Sequence, residues 1–261
     1  MAKIMIAGLP SAGKSTYIGA LAYTLKDSKT KTTYQLVENP EDVTNIKTLY
    51  DPWLSQKDIG RTTRGSINNI VLKICKEGNK VDISLPDLAG EDFEEMINGQ
   101  NELINKLDKN VDGLIFLIKE FPTEVLAESF SDDINTAKQQ PLPAFEVKKI
   151  SKQVKNILLI KELNKQFKIR KIAIGISAWD CKNENCSPLE YLQKHFPVFY
   201  NYINTFYPMS FIFGLSAQGA EYKEENYDEM EDKTNKGTRA YIVKDTEKEY
   251  DLTIPMDYLI K

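Results

Sequence analysis

Gly8-Leu9-Pro10-Ser11-Ala12-Gly13-Lys14-Ser15 satisfies G-x-x-x-x-G-K-[ST], the pattern of a phosphate-binding loop. Its flanks give the pattern a mechanism. Lys3 to Ala7 is a short apolar run that reads as a buried strand, and Lys14 to Lys26 places Ile18, Leu21, Ala22 and Leu25 at helical spacing. An anion held by Gly8, Ser11, Ala12, Gly13 and Thr16 would sit on the N-terminus of that helix, where unpaired N–H groups and the positive end of the macrodipole face it. Lys14 would reach the β and γ phosphates, and the Ser15 hydroxyl would ligate Mg²⁺.

Downstream, Glu41 to Gln56 carries Val43, Ile46, Leu49, Tyr50 and Trp53 at roughly helical spacing, with Pro52 limiting its regularity. Ile70 to Cys75 and Val81 to Leu85 alternate around Glu77-Gly78-Asn79 and form a hairpin. Val111 to Ile118, Lys171 to Ala178 and Met209 to Ser216 are apolar runs of the kind that a sheet covered on both faces produces. Helical stretches, Glu146 to Lys168 and Leu189 to Phe206, separate them. This alternation predicts an α/β fold with a doubly wound, mostly parallel sheet and one antiparallel hairpin strand. Phe121 to Pro143 reads as an insertion, and the acidic stretch Ala220 to Gly237 as a mobile surface loop. Asp251-Leu252-Thr253-Ile254-Pro255 reads as the capped start of a last short helix. The expected organisation is one domain over 1–261, with insertions near 27–60, 120–145 and 220–250.

With 261 residues, 41% of them hydrophobic, the chain can bury a substantial core. A net charge of −4 and a pI near 5.3 offer no general attraction to nucleic acid or anionic membrane. No apolar run is long enough to cross a bilayer and no start resembles a signal peptide, so a cytoplasmic location is expected. Cys75, Cys181 and Cys186 make no complete disulfide framework, and His195 alone does not complete a zinc site.

The strand Val81 to Leu85 leads into Asp87-Leu88-Ala89-Gly90, a D-x-x-G. Its aspartate could hold a Mg²⁺-linked water, and Gly90 could offer an N–H to the γ-phosphate with no side chain in the way. Ser177-Ala178-Trp179-Asp180 follows another strand and places a carboxylate where guanine N1 and N2 can donate to it, a pairing that adenine does not offer. Ser216-Ala217-Gln218-Gly219 follows the next strand, with the Ala217 N–H positioned for guanine O6. All stand at C-terminal strand ends, where open α/β sheets bind ligands.

Taken in order from Gly8 to Gly219, these regions resemble the Ras-like, translation-factor-related class of P-loop GTPases. The words Gly-Leu-Pro-Ser-Ala-Gly-Lys-Ser-Thr, Asp-Pro-Trp-Leu, Pro-Asp-Leu-Ala-Gly-Glu-Asp-Phe and Ile-Ser-Ala-Trp-Asp resemble the bacterial double-GTPase (DO-GTPase) families. The resemblance implies GTP/GDP and Mg²⁺ as cofactors, a conformational switch, and a place in bacterial conflict and phage-defence systems. It also implies that Thr62 or Thr63, in Gly60-Arg61-Thr62-Thr63-Arg64-Gly65, completes the Mg²⁺ shell. A protein effector, and an oligomer or nucleotide-dependent dimer, are the expected partners.

Several residues depart from the common pattern. Ser177 and Ala178 stand where Asn and Lys are usual, so the lysine that packs on the base is missing. Pro10 occupies a position where many GTPases have glycine and obstructs an arginine inserted by another protein. Glu91 stands where a water-positioning glutamine is usual; its carboxylate accepts from water but is repelled by phosphate, which predicts slow turnover. With Pro10 in place, an arginine in cis, Arg61 first and Arg64 second, is the candidate for meeting charge on the γ-phosphate. Two competing readings are a nucleotide-binding interaction module without hydrolysis, docking through Lys148, Lys149, Lys152, Lys155, Lys161, Lys165 and Lys168, and a P-loop ATPase or small-molecule kinase. A kinase needs arginines to clamp the migrating phosphoryl group, and this chain has four, Arg61, Arg64, Arg170 and Arg239.

Overall fold

The computed structural model describes residues 2–27, 29–37, 43–57, 68–87, 96–97, 110–119, 152–182 and 185–261. The chain first lays down β1 (Ala2–Ala7), α1 (Lys14–Lys26), β2 (Gln35–Leu36), α2 (Val43–Leu54), β3 (Asn68–Lys76) and β4 (Asn79–Asp87). There follow β5 (Gly113–Ile118), α3 (Lys152–Phe167), β6 (Lys171–Ser177), a 3₁₀ turn (Trp179–Cys181), α4 (Pro188–His195) and α5 (Pro197–Phe206). The last elements are β7 (Phe211–Ser216), α6 (Glu224–Asn235), β8 (Tyr241–Lys244), β9 (Glu247–Glu249) and α7 (Ile254–Ile260).

All nine described strands join one sheet in the order β2-β3-β4-β1-β5-β6-β7-β8-β9. The five central strands, β4, β1, β5, β6 and β7, run parallel, and β2, β3, β8 and β9 add antiparallel pairs at the two edges. In register, Met5 pairs with both Ser84 and Leu114, and Leu114 pairs with Ile172. The C-terminal ends of the parallel strands therefore share one edge of the sheet. β5, Gly-Leu-Ile-Phe-Leu-Ile, is buried at every position, as a central strand covered on both faces must be.

Alternation along these strands feeds two cores. Ile4, Ile6, Ile115, Leu117 and Phe213 pack against Tyr17, Leu21, Trp53 and Met256 of α1, α2 and α7. Met5, Leu114, Phe116, Ile174 and Ile176 pack on the other face against Ile160, Leu163 and Phe199 of α3 and α5. This is the expected doubly wound α/β architecture, a mostly parallel sheet between two helical layers.

Two local expectations are corrected. The acidic stretch read as a mobile loop contains α6, and the hairpin β8–β9 follows it and extends the sheet. Only Met230 and Thr234 of α6 are buried, while Lys233–Glu229 and Lys236–Asp232 ion pairs at i,i+4 line its outer face. Leu189 to Phe206 is two helices, because Pro197 lacks the N–H to continue the first and opens the second at its first turn. The described part of the helix read over Glu146 to Lys168 begins at Lys152; 146–151 and the insertion Phe121 to Pro143 lie outside the described residues. The last helix does form. Pro255 lies in its first turn as expected, but no side chain caps it: Asp251 accepts from the Thr253 N–H at 2.9 Å, in the turn ahead of the helix.

Candidate nucleotide site

The phosphate loop leaves β1 at Ala7 and enters α1 at Lys14. Gly8 has to be glycine on packing grounds, since a Cβ there would lie 2.3 Å from the Leu117 carbonyl oxygen of β5. Gly13 caps α1 in the left-handed region (φ 84°) and brings no side chain to accept from the first-turn N–H groups, which leaves that end open to an anion. Ser11 also takes a positive φ, and the Ala12 N–H closes back on the Leu9 carbonyl at 3.2 Å. The Lys14 ammonium folds over this loop, donating to the carbonyls of Gly8 at 2.9 Å and Leu9 at 3.0 Å. Its charge is thereby held above the loop. Ser15 and Thr16, both half-buried, occupy the first turn just behind it.

On the adjoining strands, β6 ends at Ser177, whose buried hydroxyl donates to the Ile118 carbonyl at 3.0 Å. This ties the ends of β5 and β6 together. Ser177 also borders the phosphate loop, because a Cβ on Gly13 would sit 3.5 Å from the Ser177 Cβ. Ala178 is left-handed (φ 54°) and turns the chain into the 3₁₀ segment bearing Asp180. Trp179 anchors that segment. Its ring lies where a Gly214 Cβ would clash at 2.4 Å, and it meets Tyr191 edge-on at 5.3 Å.

Asp180 Oδ1 is buried and has no hydrogen-bond partner among the described residues, whereas Oδ2 accepts from the Cys181 thiol at 3.4 Å. A buried orphan acceptor calls for a missing donor. The Cys181 thiol is pushed up to about 11 by burial and by the adjacent Asp180 carboxylate, so it stays protonated and able to donate. Beside Asp180, β7 delivers Ser216 and Ala217, both buried, at the same edge. Tyr241 of β8 backs this corner, its hydroxyl pushed up first by burial and then by the charge of Asp180.

The residues read from sequence thus fall into three groups. Gly8, Ser11, Ala12, Gly13, Lys14, Ser15 and Thr16 form the loop, and Asp180, Ser216 and Ala217 stand on neighbouring strand ends of the same sheet edge. Asp87 ends β4 three residues beyond Ser84, the partner of Met5, so its backbone lies at that edge too. Arg61, Thr62, Thr63, Arg64, Gly90 and Glu91 lie outside the described residues.

Sequence reasoning missed Lys119, Trp53 and Arg239 as parts of the site. Lys119 follows β5 and is close enough for its charge to lower both Cys181 and Glu221. No sequence signal marks it; its place follows from the β5–β6 register, Ile118 against Ile176. Of the lysines read as a docking face, Lys148 and Lys149 lie outside the described residues, and two on α3 meet neighbours. Lys165 pairs with Glu162, and Lys161 lies 5.5 Å over the Tyr202 ring.

A phosphate loop between strand and helix, with a carboxylate loop two strands away on the same edge, defines a P-loop nucleotide-binding protein of the GTPase kind. The model of the Double-GTPase 1 family matches residues 5–259, and the chain belongs to that family. It is a GTP-binding protein. Among solved structures it is similar to Roco2 RocCORdC of Methanosarcina barkeri bound to GDP, at 11% identity and a TM-score of 0.36. The match covers 91% of this chain and 48% of the other, so the chain spans about half the length of that structure. No curated protein matches. Among the described residues no helix is long and apolar enough to cross a membrane.

Proposed function

We propose that the protein is a Mg²⁺-dependent guanine-nucleotide switch that hydrolyses GTP slowly. The observation that carries this reading is the orphaned Asp180 Oδ1, on a loop whose Ser177 borders the phosphate loop through Gly13. A carboxylate with one oxygen free to accept suits the paired N1 and N2 donors of guanine and has no counterpart on adenine. The Lys14 ammonium, held over the loop by two carbonyls, supports triphosphate binding at the same edge.

The Ser15 hydroxyl, Asp87 and Thr62 or Thr63 would hold Mg²⁺, which supplies charge neutralisation on the phosphate oxygens. In this reading Gly90 reads the γ-phosphate, Glu91 accepts from the attacking water, and Arg61 offsets charge developing on the γ-phosphate in cis. Glu91 is also what makes turnover slow, because its charge opposes that of the substrate. Lys119 takes over the cationic role left vacant by Ala178. The chain acts as one nucleotide-binding domain over 1–261, in the cytoplasm, through a protein effector or as a nucleotide-dependent oligomer, within a bacterial conflict or phage-defence system.

The kinase reading loses support from two of its four arginines. Arg239 is buried at 1% exposure, and Arg170 precedes β6 at the opposite edge of the sheet from the loop. The non-hydrolysing module differs from the leading reading only in turnover. Calorimetry with GTP, GDP, ATP and ADP, with and without Mg²⁺, tests the proposal, followed by phosphate release under single-turnover conditions. ATP bound as tightly as GTP overturns the base assignment, and GTP binding without any phosphate release leaves the interaction module.

A further inference from the structure

Behind the base loop lie two large buried side chains that the proposed mechanism does not use. Trp53, in the last turn of α2, is 1% exposed, and its indole N–H donates to the Ala217 carbonyl at 2.7 Å. Arg239, also 1% exposed, lays its guanidinium 4.0 Å over the Trp53 ring and donates through Nε to the Gln218 carbonyl at 2.9 Å. Its remaining nitrogens reach the Tyr222 hydroxyl at 3.2 Å and Thr234 Oγ1 at 3.4 Å. No carboxylate partners it among the described residues. Gly219 completes the arrangement, with φ +92° and Arg239 packed so closely that a Cβ there would meet its carbonyl oxygen at 2.8 Å.

Two consecutive carbonyls of the base loop are therefore pinned from behind by donors in the core. In a trans peptide the N–H points opposite to the C=O, so turning the carbonyls of Ala217 and Gln218 inward turns the N–H groups of Gln218 and Gly219 toward the opposite, ligand-facing side. Pinning the Ala217 carbonyl also limits rotation about Ala217, whose own N–H belongs to the same turn. A charge-assisted bond to a carbonyl polarises its peptide and strengthens the N–H as a donor. What such a row of fixed donors selects is an acceptor. At purine C6 an oxo group accepts, whereas the amino group of adenine donates.

We infer that Trp53 and Arg239 are positioning residues that set the Ala217–Gly219 backbone to recognise a 6-oxopurine, so that rejection of adenine is divided between Asp180 and this pair. The inference rests on the guanine-site reading above and names which remote residues enforce it. Trp53→Phe keeps an aromatic ring at the position but removes the indole donor together with some buried volume; Arg239→Lys keeps charge without the planar fork.

The test measures Kd for GDP, IDP, ADP and inorganic tripolyphosphate, all with Mg²⁺, on wild type and both variants. IDP lacks the 2-amino group but keeps the 6-oxo group. Each variant should weaken GDP and IDP about tenfold, the value of one hydrogen bond at about 1.4 kcal/mol, while ADP and tripolyphosphate change less than about twofold. Parallel weakening of all four ligands would reduce the pair to a structural role and overturn the inference, as would unchanged GDP affinity in both variants. Should Trp53→Phe not fold, Arg239→Lys alone carries the same comparison. A wild-type protein binding ADP as tightly as GDP would bring down the guanine reading itself, and this inference with it, an outcome recognisable before any variant is made.

Discussion

The phosphate loop is made by eight consecutive residues, whereas the base side is gathered from separate stretches: the 3₁₀ turn after β6, the loop after β7, the end of α2 and the segment before β8. The first works through backbone geometry and one lysine held by its own loop. The second brings together Trp53 and Arg239, 186 positions apart in the chain (239 − 53), behind Ala217 and Gln218. A function carried by local backbone tolerates change elsewhere in the chain. One assembled from distant side chains is exposed to any shift in how the helices pack.

The sharpest way to break this contrast is at Lys14. Lys14→Ala should abolish measurable triphosphate binding in calorimetry while leaving the thermal midpoint nearly unchanged, because its ammonium serves the loop rather than a core. Wild-type GTP affinity in that variant would remove the phosphate side of the argument. Next in size is Arg61→Ala, expected to slow single-turnover GTP hydrolysis at least about 100-fold with GTP affinity nearly intact, as a cis-arginine of this kind is worth that or more. Losses below about threefold in both Arg61→Ala and Arg64→Ala would leave Glu91 or a partner as the source of catalysis. On the base side, Asp180→Asn exchanges acceptors for a mixed group. GDP should weaken by about tenfold or more, from the loss of a charged acceptor, and XDP should gain. Equal GDP and XDP affinities before and after the change would detach Asp180 from the base.

Smaller effects separate support from site. Tyr17, wholly buried on α1, donates to the Leu252 carbonyl at 2.8 Å, and burial holds its hydroxyl protonated far above the ordinary range. Tyr17→Phe should cost about 1–3 kcal/mol of stability in denaturant titration by stranding that carbonyl, with no change in nucleotide preference. A changed GDP-to-ADP ratio would mean that the helix under the phosphate loop also shapes the base side. The smallest effect is at Asp257. Burial works to raise its pKa, and the hydrogen bonds and charges of Lys261 and Lys76 outweigh that, leaving it below the ordinary carboxylate range. Its contribution is complete above that range and is lost as the pH falls through it toward the folded value. Thermal midpoints should therefore fall less steeply between about pH 5 and 3 in Asp257→Asn than in wild type. Parallel curves would show that docking of α7 does not depend on this pair.

The same contrast explains what was legible. β1, the loop and α1 announce themselves because pattern, strand and helix are contiguous, and the β3–β4 hairpin because Glu77-Gly78 is a recognisable turn between alternating runs. The β8–β9 hairpin gives no such signal. Its turn is formed at Asp245 with φ 53° and no glycine, and its outer strand, Glu247–Glu249, is charged and exposed throughout. α6 hides for a related reason, since a helix held by ion pairs and two buried residues has the composition of a loop. Asp180, Ser216 and Ala217 could be read from strand ends. Trp53 could be seen as an apolar position of a helix and as part of a family word, but nothing in Asp51-Pro52-Trp53-Leu54 says that its indole will find Ala217.

The bond from Tyr17 to Leu252 spans 235 positions and has a consequence for the order in which the molecule is built. The Thr33 N–H to Asp251 and Thr30 Oγ1 to Gly237 bonds tie the segment after α1 to the same late region. During synthesis the phosphate loop and its helix emerge well before Leu252, so α1 lacks the acceptor for its buried hydroxyl until 235 further residues have been made. Contacts of such separation form slowly, and the earlier-made elements carry exposed apolar surface in the meantime. The helix behind the phosphate loop is thus synthesised early and finished late, relative to the segment that completes it.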